Sequence, residues 1–365
     1  MKVPFLDLRV TDQDERRELL DAYARVLDHG RLVMGPEVEE LENKIADDCH
    51  RRFCISVGSG TDAVYLGLRA LGIGPGQEVI TTSLSWIATA NAIALTGATP
   101  VFADIGNDLN ISAESVEGLI TNNTAAIVSV NYTGRVADND VLERVAMDHG
   151  LVLVEDASQS YGARLDERPS GAFGALSAMS HNPMKVFGAT GEAGSVVVDD
   201  PALAEKLIEL RYNGTIGRET CVVPSLNGRM DTVQAAALLI RRSGLPQLLE
   251  ARRKNAAFYT QVLQEFVTLP AIDERHKDVF YTFTIRSSQR DNLRSHLEER
   301  GIETKIQHPL LMPQQPAYTG SRGSWVQAEQ LVNQVLCIPV HEKLTQEQLE
   351  YVADSIAAFG DTRVS

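Results

Sequence analysis

From position 53 onward the chain sets short β-rich runs (54–57, 78–82, 100–105, 125–130, 151–155) against helical runs (62–71, 85–95, 112–120, 141–148) in strict alternation. That order requires a mostly parallel sheet covered by helices on both faces. Ligands of such sheets gather at the carboxyl ends of the strands. Ahead of the alternation, residues 13–50 read as helices interrupted at Gly30 and at Gly35-Pro36, the second carrying Val38, Leu41 and Ile45 at helical spacing. Beyond Tyr161 the pattern predicts strands over 178–181 and 195–198, a loop over 188–194 and a helix over 202–211. A long helical stretch over 232–267 follows, with a break at Gly244-Leu245-Pro246, the best domain boundary in the chain. Residues 1–245 therefore form a large domain with N-terminal helices. Residues 246–365 form a small α+β domain with strands over 280–286, 304–307 and 335–339.

The charge balance limits the partners. Thirty-four basic and forty-nine acidic side chains leave a net charge of −15, a field that repels nucleic acid and anionic lipid. An anionic substrate would need a local basic pocket. Cys49, Cys54, Cys221 and Cys337 form no CxxC pair, which argues for a reducing, cytoplasmic setting and against a zinc site; no metal is expected. The first residues lack the apolar core of a secretory signal, and no run approaches the length of a membrane span.

Three elements carry chemistry. Gly58-Ser59-Gly60-Thr61-Asp62-Ala63 follows a strand and opens a helix, satisfying a dinucleotide fingerprint with Glu78 twenty residues on. The ribose-binding acid of that fingerprint should end the second strand, whereas Glu78 begins it, which counts against a nicotinamide enzyme. The same turn can cradle one phosphate on unpaired N–H groups, or Ser59 can simply cap the helix. Next, Glu155-Asp156 ends the most apolar strand; one of the two acids suffices for a site. Finally, Lys185 stands between a strand and the glycines 188, 191 and 194. It is either a solvated surface charge or a Schiff-base lysine whose neutral amine attacks an aldehyde.

Taken in order, these elements resemble the sugar aminotransferases of the DegT/DnrJ/EryC1/StrS family. The likeness runs through residues 31–42, 58–63, 85–91, 100–104, 155–159, 180–185, 227–236 and 301–309, nearly the whole chain. It implies an α/β fold of the aspartate-aminotransferase type, fold type I of the pyridoxal-phosphate (PLP) enzymes. It also implies PLP as cofactor and a homodimer with shared active sites. By the same likeness Lys185 holds the cofactor, Asp156 pairs with its ring nitrogen, Gln159 sits near the ring hydroxyl and Trp86 stacks on the ring. Ser59, Gly60, Thr61 and Ser180 match phosphate ligands, Asn227 matches one supplied by the neighbouring subunit, and Arg229 and His308 match positions near the substrate.

The implied reaction moves an amino group from glutamate or glutamine to a keto-sugar, most often nucleotide-linked, in amino-sugar biosynthesis. A cyclitol aminotransferase or sugar dehydratase on the same scaffold is the alternative; a non-catalytic binding protein is a more distant one. The chain departs from the family pattern at His181-Asn182, where an aromatic pair is common, at Asn213, where histidine is common, and at Glu192-Ala193. These departures bear on the sugar pocket and leave the cofactor residues intact.

Overall fold

The computed structural model describes residues 1–364. Its centre is a seven-stranded sheet made of β1 (Phe53–Val57), β2 (Glu78–Thr82), β3 (Thr99–Ala103), β4 (Thr124–Val130), β5 (Val152–Asp156), β6 (Leu176–Ser180) and β7 (Gly194–Val198). The spatial order is β1-β7-β6-β5-β4-β2-β3. Every pairing from β6 through β3 is parallel, while β7 runs antiparallel to both β1 and β6. Six strands thus end at one edge of the sheet, and β7 begins there.

Helices clothe both faces, as the alternation requires. On one side Leu66 and Leu68 of α3 (Gly60–Ala70) and Leu207 of α7 (Pro201–Arg211) pack on Val57, Val79, Val128, Val154 and Val196. On the other, Leu41 and Ile45 of α2 (Pro36–Asp48) and Leu238 pack on Phe173, Met179 and Val197. The remaining helices of this unit are α1 (Gln13–His29), α4 (Ala88–Leu95), α5 (Ala113–Glu117) and α6 (Asn139–Asp148).

The break expected at Gly244-Leu245-Pro246 is absent: α8 runs unbroken from Thr232 to Leu263 with Pro246 inside it. Proline forfeits one backbone hydrogen bond, and side chains on both sides of it offset the loss. Ala235 and Leu238 pack into the sheet's core, and Tyr259 and Leu263 into the C-terminal one. Arg252 donates to Glu342 and to the carbonyl of Phe280, and Asn255 donates to the carbonyls of Val340 and His341. The boundary read from sequence lies within this helix.

The C-terminal unit pairs β8 (Phe283–Arg286) with β9 (Val335–Ile338) and covers them with α9 (Arg290–Glu299) and α11 (Gln346–Phe359); α10 (Val326–Val332) precedes β9. The strand expected over 304–307 reduces to one bridge between Lys305 and Cys337. Val3, placed with the large domain by position in the chain, is fully buried in the C-terminal core and bridges to Ile302.

Of the paired acids ending β5, Glu155 is structural. Strand alternation turns it to the face opposite Asp156, where it is wholly buried. It accepts from Asn131 Nδ2 (2.7 Å), Ser177 Oγ (2.6 Å) and the N–H groups of Gly171 (3.0 Å) and Phe173 (3.3 Å). These bonds tie β4, β5, β6 and the 157–175 connection together beneath the site. Removing the acceptor strands several buried donors, each costly when unpaired. Glu155→Ala should therefore lower the unfolding free energy by about 3 kcal/mol or more; an unshifted urea midpoint would show that the network organises nothing.

Candidate active site

At the carboxyl edge of the sheet lies a cavity of about 460 Å³ whose lining includes Ser59, Gly60, Thr61, Trp86, Asp156, Gln159, Ser180, Lys185 and His308. A larger recess of about 540 Å³ lies on the other side of the 183–190 segment. It shares Lys185 but has neither Asp156 nor the Ser59–Thr61 turn in its wall, so the smaller cavity is where the chemistry-bearing groups converge.

The turn owes its place to missing Cβ atoms. A Cβ on Gly60 would stand 2.5 Å from Ser180 Cβ, and one on Gly194 would stand 2.3 Å from the carbonyl oxygen of Ser59. Only glycine lets β1, β6 and β7 close up at this point. Ser59 caps α3, its Oγ accepting from the Asp62 N–H at 3.1 Å. Capping does not exhaust the helix start, because the first N–H groups of a helix have no intrahelical acceptor and its dipole favours an anion. Ser59 thus serves as a cap, and Gly60 and Thr61 set the helix start against the cavity. Glu78 binds Thr121 Oγ1 (2.7 Å) and Arg322 (2.8 Å) at the amino edge of the sheet, too misplaced for a ribose-binding acid.

Asp156 is 4% exposed. Thr89 Oγ1 donates to its Oδ2 at 2.8 Å and the Ser158 N–H to its Oδ1 at 3.1 Å. No basic side chain pairs with it among the described residues, so a cationic ring nitrogen would meet an oriented, dry carboxylate. Gln159 is held through Oε1 by the Thr133 N–H at 3.1 Å. Lys185 follows a tight turn closed by its own N–H on the Asn182 carbonyl (2.8 Å), and its Nζ lies 4.7 Å from the ring centre of Tyr281. Trp86, 60% exposed, stands at the rim with its ring centre 5.9 Å from that of His308.

Asn227 and Arg229 are not in this cavity. Arg229 Nε donates to Asn227 Oδ1 at 2.7 Å and its guanidinium stacks on Tyr212, 4.3 Å from the ring centre. Arg229 lines a separate surface recess with Tyr212 and Arg218. Conversely Thr89, Tyr281, Lys305 and Gln307 line or brace the cavity without having been singled out in the sequence. Thr89, Lys305 and Gln307 could have been found, because they fall within the family-like stretches 85–91 and 301–309; Tyr281 lies in a region of weak β signal.

Two departures from the family pattern meet each other: Asn182 Nδ2 donates to Glu192 Oε1 at 2.7 Å on the cavity wall. His181, which precedes Asn182, is fully buried beneath the lysine loop. Its Nδ1 donates to the Phe187 carbonyl at 3.1 Å, so the neutral ring accepts from Ser195 Oγ through Nε2 at 2.9 Å.

A model of the DegT/DnrJ/EryC1/StrS aminotransferase family matches residues 13–357. The chain belongs to that family. It is 40% identical to a dTDP-3-amino-3,4,6-trideoxy-alpha-D-glucose transaminase of Streptomyces venezuelae, over 99% of this chain and 97% of the relative. Among solved structures, S. venezuelae DesV in complex with a ketimine intermediate superposes with a TM-score of 0.95 at 40% identity, covering 98% of each chain. NtdA of Bacillus subtilis, with bound cofactor PMP, superposes with a TM-score of 0.91 at 31% identity, over 98% of this chain and 85% of that one. The family member described here is an aminotransferase with the α/β architecture of these enzymes.

Burial pushes the pKa of His181 down to about 4, from an ordinary value near 6.5. A histidine that resists protonation in the folded state gives up its stabilising share when acid protonates it in the unfolded chain. That share is intact above pH 6.5 and lost progressively toward pH 4. The urea midpoint should fall between pH 7 and pH 5, and His181→Asn should fall less steeply; parallel declines would exonerate His181.

Proposed function

We propose that this aminotransferase uses pyridoxal 5′-phosphate to move an amino group from glutamate onto a keto-sugar carried by a nucleotide. The observation that carries this reading is the convergence of Lys185, Asp156 and the Ser59–Gly60–Thr61 helix start on one cavity. The residues fit the cofactor on three counts. A cradle that a single Cβ would fill takes the phosphate, a buried carboxylate without a basic partner takes the ring nitrogen, and an amine faces them. When bound, PLP supplies an aldehyde that accepts the amino group and a ring that draws electrons from the donor carbon.

The chain's own groups do the rest. Lys185 would hold the cofactor covalently, and its amine, when free, would move the proton to and from the reacting carbon. Asp156, oriented by Thr89 and the Ser158 N–H, keeps the ring nitrogen protonated. Trp86 covers the outer face. We assign Asn227 and Arg229 to the cavity of a second copy, so that the working unit is a homodimer. Support comes from their absence from the wall of their own cavity and from the exposure of Asn227. The four cysteines are free, in keeping with work in the cytoplasm.

Lys185→Ala should bind PLP without a borohydride-stable link, and an adduct trapped in that variant would reassign the lysine. Asp156→Asn should retain the cofactor but lose activity on the order of 100-fold or more, since an oriented charge is removed from the reacting centre; near-normal turnover would take Asp156 out of the mechanism. Initial rates with glutamate and a dTDP- or UDP-linked keto-sugar should give parallel double-reciprocal lines, the mark of a ping-pong cycle.

A further inference from the structure

The C-terminal unit contributes Lys305, Gln307 and His308 to the cavity wall. Lys305 forms none of the ion pairs among the described residues, whereas the two carboxylates in the same wall, Asp156 and Glu192, are already hydrogen-bonded. Its backbone is clamped on both sides, the Lys305 N–H donating to the Cys337 carbonyl (3.0 Å) and the Cys337 N–H to the Lys305 carbonyl (2.8 Å). Gln307 Oε1 and His308 Nε2 are buried without a hydrogen-bond partner. Buried polar atoms without partners are few in folded proteins and call for an explanation. A cation and two polar side chains on four consecutive positions, set by one bridge to β9, form a small polar face of the cavity wall.

We propose that this face is the subsite for the α-carboxylate of the amino donor, with the Lys305 ammonium as its main contact. The inference rests on the aminotransferase reading above and deepens it. The donor's reacting nitrogen must reach the place of the Lys185 amine, and its carboxylate is attached to the carbon next to that nitrogen, so the anion must lie beside Lys185. Lys305 and Lys185 both press on the His308 ring, whose pKa burial and these two charges hold down to about 3. His308 therefore stays neutral and can donate only from the ring nitrogen that carries its proton, leaving Lys305 as the fixed charge. A nucleotide diphosphate, attached at the far side of a sugar from its reacting ketone, would lie farther toward the mouth. Arg229, the cation suggested by sequence, is absent from the wall of its own cavity and is assigned above to that of a second copy, so on the C-terminal unit's side of the wall Lys305 is the cation that a chain of net −15 offers to an anion.

The test uses the PLP-loaded enzyme and 2-methylglutamate, which has the donor's carboxylates and amine but no α-proton to transfer. Its dissociation constant, from the change in cofactor absorbance, should rise on the order of 10- to 100-fold in Lys305→Met, as expected for losing one charge-assisted hydrogen bond. Lys305→Arg should restore most of that affinity. KM for glutamate should rise in parallel while kcat changes little, and the preference for glutamate over 4-aminobutyrate, which lacks the α-carboxylate, should collapse. The half-reaction with a nucleotide-linked keto-sugar should keep its KM. Unchanged affinity for 2-methylglutamate, or a loss confined to the sugar half-reaction, would overturn the assignment. If wild-type enzyme neither binds 2-methylglutamate nor takes an amino group from glutamate, it is the proposed function itself that fails.

Discussion

The site depends on one close approach: the backbone at Ser59–Gly60, the end of β6 at Ser180 and the start of β7 at Gly194 lie within a spacing that tolerates no side chain at either glycine. The approach is possible because β7 is inserted antiparallel between β1 and β6, so that a strand start meets two strand ends. A helix start is thereby held against the strand that leads into Lys185. An all-parallel sheet would have separated these pieces by a crossover helix.

Beneath that surface the two acids ending β5 divide the labour through pleat alone. Glu155 and Asp156 are neighbours in sequence and point to opposite faces. One gathers five donors, Ser170 Oγ included, and fixes the floor; the other is left with two hydrogen bonds and a cavity in front of it. Two chemically similar side chains serve different ends because one is saturated internally and the other is not.

Much of this was legible in the sequence. The β/α alternation predicts the sheet, and the positions of Lys185, Asp156 and the Ser-Gly-Thr turn at strand ends predict where the cavity lies, because periodicity and punctuation are local signals. What was not legible depends on tertiary context. Proline at 246 reads as a helix end, yet packing into two cores carries α8 through it. The 304–307 segment reads as a strand but contributes a single bridge, and its value lies in which side chains it turns toward the cavity, something spacing does not encode. Arg229 matches a substrate position in a linear motif, while in the folded chain it lines a separate recess with Tyr212, and a linear motif does not say which copy's cavity a residue serves.

The N-terminus belongs spatially to the C-terminal half. Val3 is fully buried there, its N–H on the Gly301 carbonyl and its own carbonyl taking the Glu303 N–H, two residues before Lys305. The first few residues and the last third of the chain therefore share one core, and the sheet-forming part is inserted between them. A nascent chain emerging from the ribosome can complete its sheet early, but must keep its first few residues unclaimed until nearly all of translation is done.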